Sequence, residues 1–160
     1  MWVSLMEQFV RVFLKGSLAW LALGVTMGVA MAVHPVWTVY RQAHMHMMLL
    51  GFVTMMIYGV AYHVIPRFAG FPLYSRRAPV IHLWVSNVGL ALMVVGFVTR
   101  ASNAGPGTVV LSTGGALSAI GAYTFVYVIW RTLDGPRALR RAERERDAAR
   151  NRPGIALPIA

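Results

Sequence analysis

The chain has no cysteine and almost no acid: of its 160 residues five are carboxylates, Glu7 and four that lie beyond Trp130. Without cysteine there are no disulfides, thiolate haem ligands, iron–sulfur clusters or thioether-linked haem, so any haem must be held noncovalently by His or Met. Without carboxylates between Glu7 and Trp130, hard cations and carboxylate-bridged metals are excluded from the apolar body. Charge of either sign is scarce, at 12% of residues, against about 25% in an average soluble domain. With 58% hydrophobic residues, the composition describes an all-α integral membrane protein. The first long apolar run begins only after Lys15 and ends in no small-residue cleavage site, so a cleaved signal peptide is not expected.

Four apolar runs, at residues 17–36, 44–65, 80–99 and 108–129, reach the roughly 20 residues needed to cross a bilayer core of about 30 Å. The connections HPVWTVYRQA, PRFAGFPLYSRRAP and RASNAGPG carry Pro or Gly as stop and turn signals. Their shortness makes sequential helices antiparallel neighbours. Ahead of the first run, Trp2, Leu5, Met6, Phe9 and Phe13 recur at helical spacing opposite Glu7, Gln8, Arg11 and Lys15. This stretch is read either as an N-terminal interfacial helix or as the first turns of a long first span. Residues 1–133 form the membrane domain. Residues 134–160 form a basic tail in which Arg and Glu interleave at i,i+3 and i,i+4, suited to a solvated helix or a lipid-headgroup contact, with GIALPIA as a disordered end.

Net charge is +10, but the Arg residues flank apolar runs, which points to anionic lipid and not to nucleic acid. Thirteen basic residues fall on the side of the two termini and the second connection, whereas the other two connections hold only Arg41 and Arg100. By the positive-inside rule both termini face the cytoplasm of a prokaryotic cell, across its inner membrane. His34, His44 and His46 then lie near the outer surface, and His63 and His82 near the inner one.

Histidine in a membrane span needs a partner and is by default a functional signal. His44 and His63 are 19 residues apart, or about 28 Å along a helix, so the five rings fall into two layers. His44 and His46 point roughly 200° apart, so a single site within one chain does not readily use both. On the His44 face lie Gly51, Met55, Tyr58, Gly59 and Tyr62, where glycine leaves room for a flat macrocycle and Tyr62 could bond a haem propionate or a distal ligand. Val53, Ile57, Val60 and Val64 line the His46 face, and the third run aligns His82, Ser86, Gly89, Met93 and Gly96. His34, beside Pro35 at the end of a span, is also read as an ordinary interfacial ring. Zinc needs three or four ligands of a kind scarce here. Haem remains, and so does copper(I), for which HMHMM offers soft ligands, although Met at such positions commonly serves packing.

The segment AHMHMMLLGFVTMMIYGVAYHVIPRF followed by PLYSRRAPVIHLWVSNVGL resembles small four-helix proteins similar to subunit I of haem-copper oxidases. More distantly it is similar to the second helix of subunit I in C-type cytochrome oxidases and nitric-oxide reductases. The resemblance runs from about Val33 to Gly96, and its most specific parts are the HxH and the closing YHVIPR. It implies that His44 or His46 is an axial ligand of a low-spin haem b, and that the chain corresponds to one of three four-helix repeats in the large subunits. Joined to the opposed directions of the two rings, it leads to an expected homotrimer in which His44 of one copy and His46 of the next hold each haem; an intrachain pair, His63 with His82, is the competing arrangement. The few histidines and the absence of acid in the spans argue against proton pumping and full oxygen reduction. The expected role is therefore noncatalytic: electron transfer with a redox partner, or binding of NO or O2. The alternatives are a copper-handling or oxidase-assembly protein, and a small nitric-oxide reductase-like protein or quinol oxidoreductase.

Overall fold

The computed structural model describes the backbone of residues 2–150 and the side chains of residues 8–135, 141 and 143–148, which leaves GIALPIA outside the described residues. Every regular element among them is helical. Helix α1 spans Trp2–Val33. A 3-10 turn at Pro35–Tyr40 leads into α2, Arg41–His46, which passes through a π-helical segment, Met47–Thr54, into α3, Met55–Ala69. Helices α4, Ala78–Ser102, and α5, Ala104–Arg150, complete the chain. Four stretches are long and apolar enough to cross a membrane: Gln8–Val33, Pro35–Ala69, Ala78–Ser102 and Ala104–Gly135.

The amphipathic N-terminal stretch and the first span are one unbroken helix. Phe9 and Phe13 turn inward and pack on Tyr62 of α3, with ring centroids 5.8 and 5.9 Å apart. The second span is longer than its apolar run. Proline lacks only an N–H that a first turn does not use, so Pro35 opens a 3-10 turn where the sequence suggested a loop. Pro66 sits inside α3, which ends at Gly70 in the left-handed conformation, φ 73°, with the Phe71 amide donating to the Pro66 carbonyl at 3.2 Å. Helix α5, 47 residues and so about 70 Å long, carries its charged half beyond the span without a break at residue 134, and Arg141 donates to Glu145 at 3.0 Å one turn on.

Helices α4 and α5 form a close antiparallel pair because small residues face one another at heptad spacing, which lets backbones approach in a medium with no hydrophobic drive between helices. A Cβ added at Gly96 would lie 2.5 Å from the Leu111 amide nitrogen, and one at Gly114 would lie 2.5 Å from the Met93 nitrogen. One at Gly121 would collide with Ser86 Oγ. The second span lies between α1 and this pair. Its buried residues Ala43, Met47, Gly51, Met55 and Gly59 recur every fourth position. In an unbroken α-helix that spacing would rotate by about 160° over the stretch and leave the interface. The i→i+5 pairing of the π segment, to which the Thr54 hydroxyl adds a 2.8 Å bond to the Leu49 carbonyl five residues back, widens the turns and keeps the face in line.

Candidate functional site: two histidines of the second span and a buried one of the third

His44 and His46 close α2 immediately before the π segment, and such segments are frequent at functional sites. Their rings face different neighbours, as their spacing requires. His44 lies against α1, where Nδ1 donates to the Gly24 carbonyl at 2.9 Å. Gly28 admits the ring edge, since a Cβ there would stand 3.0 Å from His44 Cε1. His46 lies on the other side, tilted on Phe97 of α4 with centroids 4.8 Å apart, and its Nδ1 donates to the Gln42 carbonyl at 2.8 Å.

A carbonyl oxygen only accepts, so Nδ1 carries the proton in both rings and the lone pair of each neutral ring sits on Nε2. Among the described residues the hydrogen bonds of these two rings run through Nδ1 alone, and both rings are half-buried. Metal-ligating histidines commonly have one ring N–H held in this way by a backbone carbonyl or a carboxylate. The donor chemistry of His44 and His46, a neutral ring with its proton on Nδ1, is of a kind that an axial haem ligand requires.

The glycines of the His44 face serve a different purpose from the one expected. A Cβ added at Gly51 would lie 2.6 Å from Trp20 Cβ, and one at Gly59 would lie 3.0 Å from Phe13 Cβ. The space that Gly51 was expected to leave for a macrocycle is filled by Trp20, because small residues on one apolar helix invite the large residues of the next.

Near the opposite end of the spans His82 is fully buried. Its Nδ1 is 2.9 Å from the Tyr62 hydroxyl, and Phe13, Tyr58, Tyr62 and Phe125 surround the ring with centroids 4.5 to 5.9 Å away. Tyr62 is thus occupied inside the core. The other ring nitrogen of His82 and the Ser86 hydroxyl one turn further on are both buried with no protein partner. A cavity of about 30 Å³ beside Ser86, lined also by Thr54, Tyr58 and Ser118, has room for about one water. His63 lies elsewhere, in an apolar groove between α1 and α3, with its carbonyl accepting from Arg67 Nη1 at 2.6 Å. His34 is exposed and stacks on Trp37 at 5.5 Å. Among the described residues no three His, Asp or Glu side chains converge on a common metal position.

Sequence reasoning passed over one polar bond inside the spans: Trp20 Nε1 donates to Asn87 Oδ1 at 3.1 Å, and Asn87 Nδ2 donates to the Leu83 carbonyl at 2.8 Å. The signal was an indole N–H and a carboxamide in apolar runs, each needing a partner in hydrocarbon. Outside the spans, Tyr74 is held below its ordinary phenol range by hydrogen bonds from Tyr127 and then Arg131. The Arg131 guanidinium stands 4.9 Å from the Tyr74 ring centre, and the Tyr74 amide donates to Thr132 Oγ1 at 3.1 Å, so this loop is tied to α5.

Comparison with protein-family models finds no match. The chain is 27% identical over 162 aligned residues to the Cbb3-type cytochrome c oxidase subunit CcoN1 of Stutzerimonas stutzeri, an alignment that covers 82% of this chain. It spans about a third of that relative's length, 34%. Four membrane-length helices and this distant similarity to an oxidase subunit together support a bacterial multi-pass membrane protein.

Proposed function

We propose that the chain binds haem b and serves electron transfer, with His44 of one copy and His46 of the next supplying the axial nitrogens in a homotrimer; binding of NO or O2 is the role it would have with one of these two histidines off the iron. The observation that carries the reading is the pair of Nδ1–H bonds to the carbonyls of Gly24 and Gln42, which leave Nε2 as the donor nitrogen of two rings packed on different neighbours, His44 on α1 and His46 on Phe97 of α4. The distant similarity to a cbb3-type oxidase subunit supports the choice of haem. Trp20 fills the space beside Gly51, and the core cavity of about 30 Å³ is water-sized; both favour a macrocycle seated between copies over one inside a single chain. Haem bound there would supply a one-electron couple, and an axial position left open would take a diatomic gas. The chain's own part is to fix the ring planes through Gly24 and Gln42, hold the tautomer with its proton on Nδ1, and surround the site with apolar side chains. The enclosure of His82 by four aromatic rings makes His63 with His82 the less fitting pair. Absorption spectra of the purified protein, oxidised and reduced, together with those of His44→Ala and His46→Ala, test the reading: a Soret band that persists unchanged in both variants would refute it.

A second reading rests on Met48, whose sulfur would stand 2.7 Å from a Cβ added at Gly24, the residue that also anchors His44. One His and one Met at i,i+4 are soft donors for copper(I). Colourless protein that takes up copper(I), and loses it in Met48→Leu, would favour that reading over haem.

A further inference from the structure

The groove at His63 is a concave feature not used by the proposed haem reading, and its chemistry is divided. Its volume is about 390 Å³, and Val10, Leu14, Val60 and Val64 make its walls while Arg11 and His63 supply its polar groups. That volume lies within the range of sites that hold small molecules, roughly 300–1,000 Å³. The groove runs between two membrane-spanning helices, α1 and α3, and its wall residue Val60 is 46% exposed, so it opens sideways to the hydrocarbon.

Its polar end lies where both spans finish, three residues into the apolar stretch that starts at Gln8 and six before the end of the one that closes at Ala69. An arginine here can reach the headgroup level. Guanidinium has only donors, five of them, arranged to match an oxyanion, and Arg11 also has a partner within the chain. Arg67, bonded to the His63 carbonyl, and Lys15, one turn beyond Arg11, extend the positive charge along the same end of the two helices. Basic pockets between transmembrane helices recognise anionic headgroups.

We propose that this groove binds one anionic phospholipid, with the phosphate on Arg11 and His63 and an acyl chain along Val10, Leu14, Val60 and Val64. The site is independent of haem and is tested on the protein without it. Delipidated protein in detergent is titrated with phosphatidylglycerol and with phosphatidylcholine, and bound lipid is counted by native mass spectrometry for the parent, Arg11→Gln and the groove-filling Val64→Trp. Circular dichroism checks that both variants keep their helix content. The expected result is one phosphatidylglycerol retained in preference to phosphatidylcholine, bound about fivefold more weakly by Arg11→Gln and lost in Val64→Trp. Equal retention of the two lipids, or retention indifferent to both variants, would overturn the site. So would a menaquinone or a haem displacing the lipid from the groove in a His63-dependent manner.

Discussion

His44 is tied to α1 by the 2.9 Å bond from its Nδ1 to the Gly24 carbonyl. A histidine of the second span is therefore oriented by the first span, through a residue 20 positions earlier. That link turns several statements about packing into statements about the cofactor.

Gly28 is the first test. A Cβ there would already stand 3.0 Å from His44 Cε1, so the branched side chain of Gly28→Val displaces the imidazole while leaving both proposed ligands in the sequence. Haem affinity should fall about 10- to 100-fold, as expected when a ligand's orientation is lost. Haem titration followed by absorbance reads the change, and unaltered affinity would show that the α1 contact does not orient a ligand.

The surroundings of His82 should behave as core. Tyr62→Phe leaves His82 Nδ1 buried without its partner. Hydrogen bonds inside membrane proteins average about 0.6 kcal/mol and reach roughly 1.7, so thermal or denaturant unfolding in detergent should show a loss of about 1 kcal/mol. The Soret maximum should not move. A shifted spectrum in Tyr62→Phe or His82→Leu would bring His63 with His82 back as the haem site.

Neighbouring glycines on α5 give a matched comparison. A Cβ at Gly114 would meet the Met93 nitrogen at 2.5 Å and the Gly89 carbonyl oxygen at 2.6 Å, backbone atoms that cannot rotate away, whereas one at Gly115 meets nothing within 4 Å. Gly114→Ala should cost about 1–3 kcal/mol by overpacking, and Gly115→Ala should be neutral or stabilising by up to about 1 kcal/mol through helix propensity. Equal effects in unfolding measurements would mean that α4 and α5 are not packed through this face.

Trp20 and Asn87 should couple. The 3.1 Å bond joins α1 to α4 within the spans, and a double-mutant cycle of Trp20→Phe and Asn87→Leu should give an interaction energy of about 0.6–1.7 kcal/mol. A coupling indistinguishable from zero would contradict the pairing.

The four spans could be read from the sequence because about 20 apolar residues with charged flanks leave a chain few alternatives. The opposed directions of His44 and His46 were also legible, since two steps of 100° suffice to set them. The π segment was not. MMLLGFVT has the composition of any apolar helix, and the wider turn shows only in the four-residue spacing of the buried Met47, Gly51, Met55 and Gly59. Nor does sequence say which large residue enters the space a glycine leaves. That it is Trp20 beside Gly51 depends on how α1 meets the second span. Pro35 and Pro66 read as stops, yet one sits in the first turn of a 3-10 helix and the other inside α3.

The central claim, a haem shared by His44 of one copy and His46 of the next, is tested most directly by mixing. His44→Ala and His46→Ala are expressed separately and then together with different affinity tags, and doubly tagged oligomers are purified and their haem spectra recorded. The account predicts trimers throughout, no six-coordinate haem in either variant alone, and recovery in mixed trimers, where one junction joins an intact His44 to an intact His46. A monomer with a six-coordinate spectrum, or mixed trimers as empty as their parents, would contradict it.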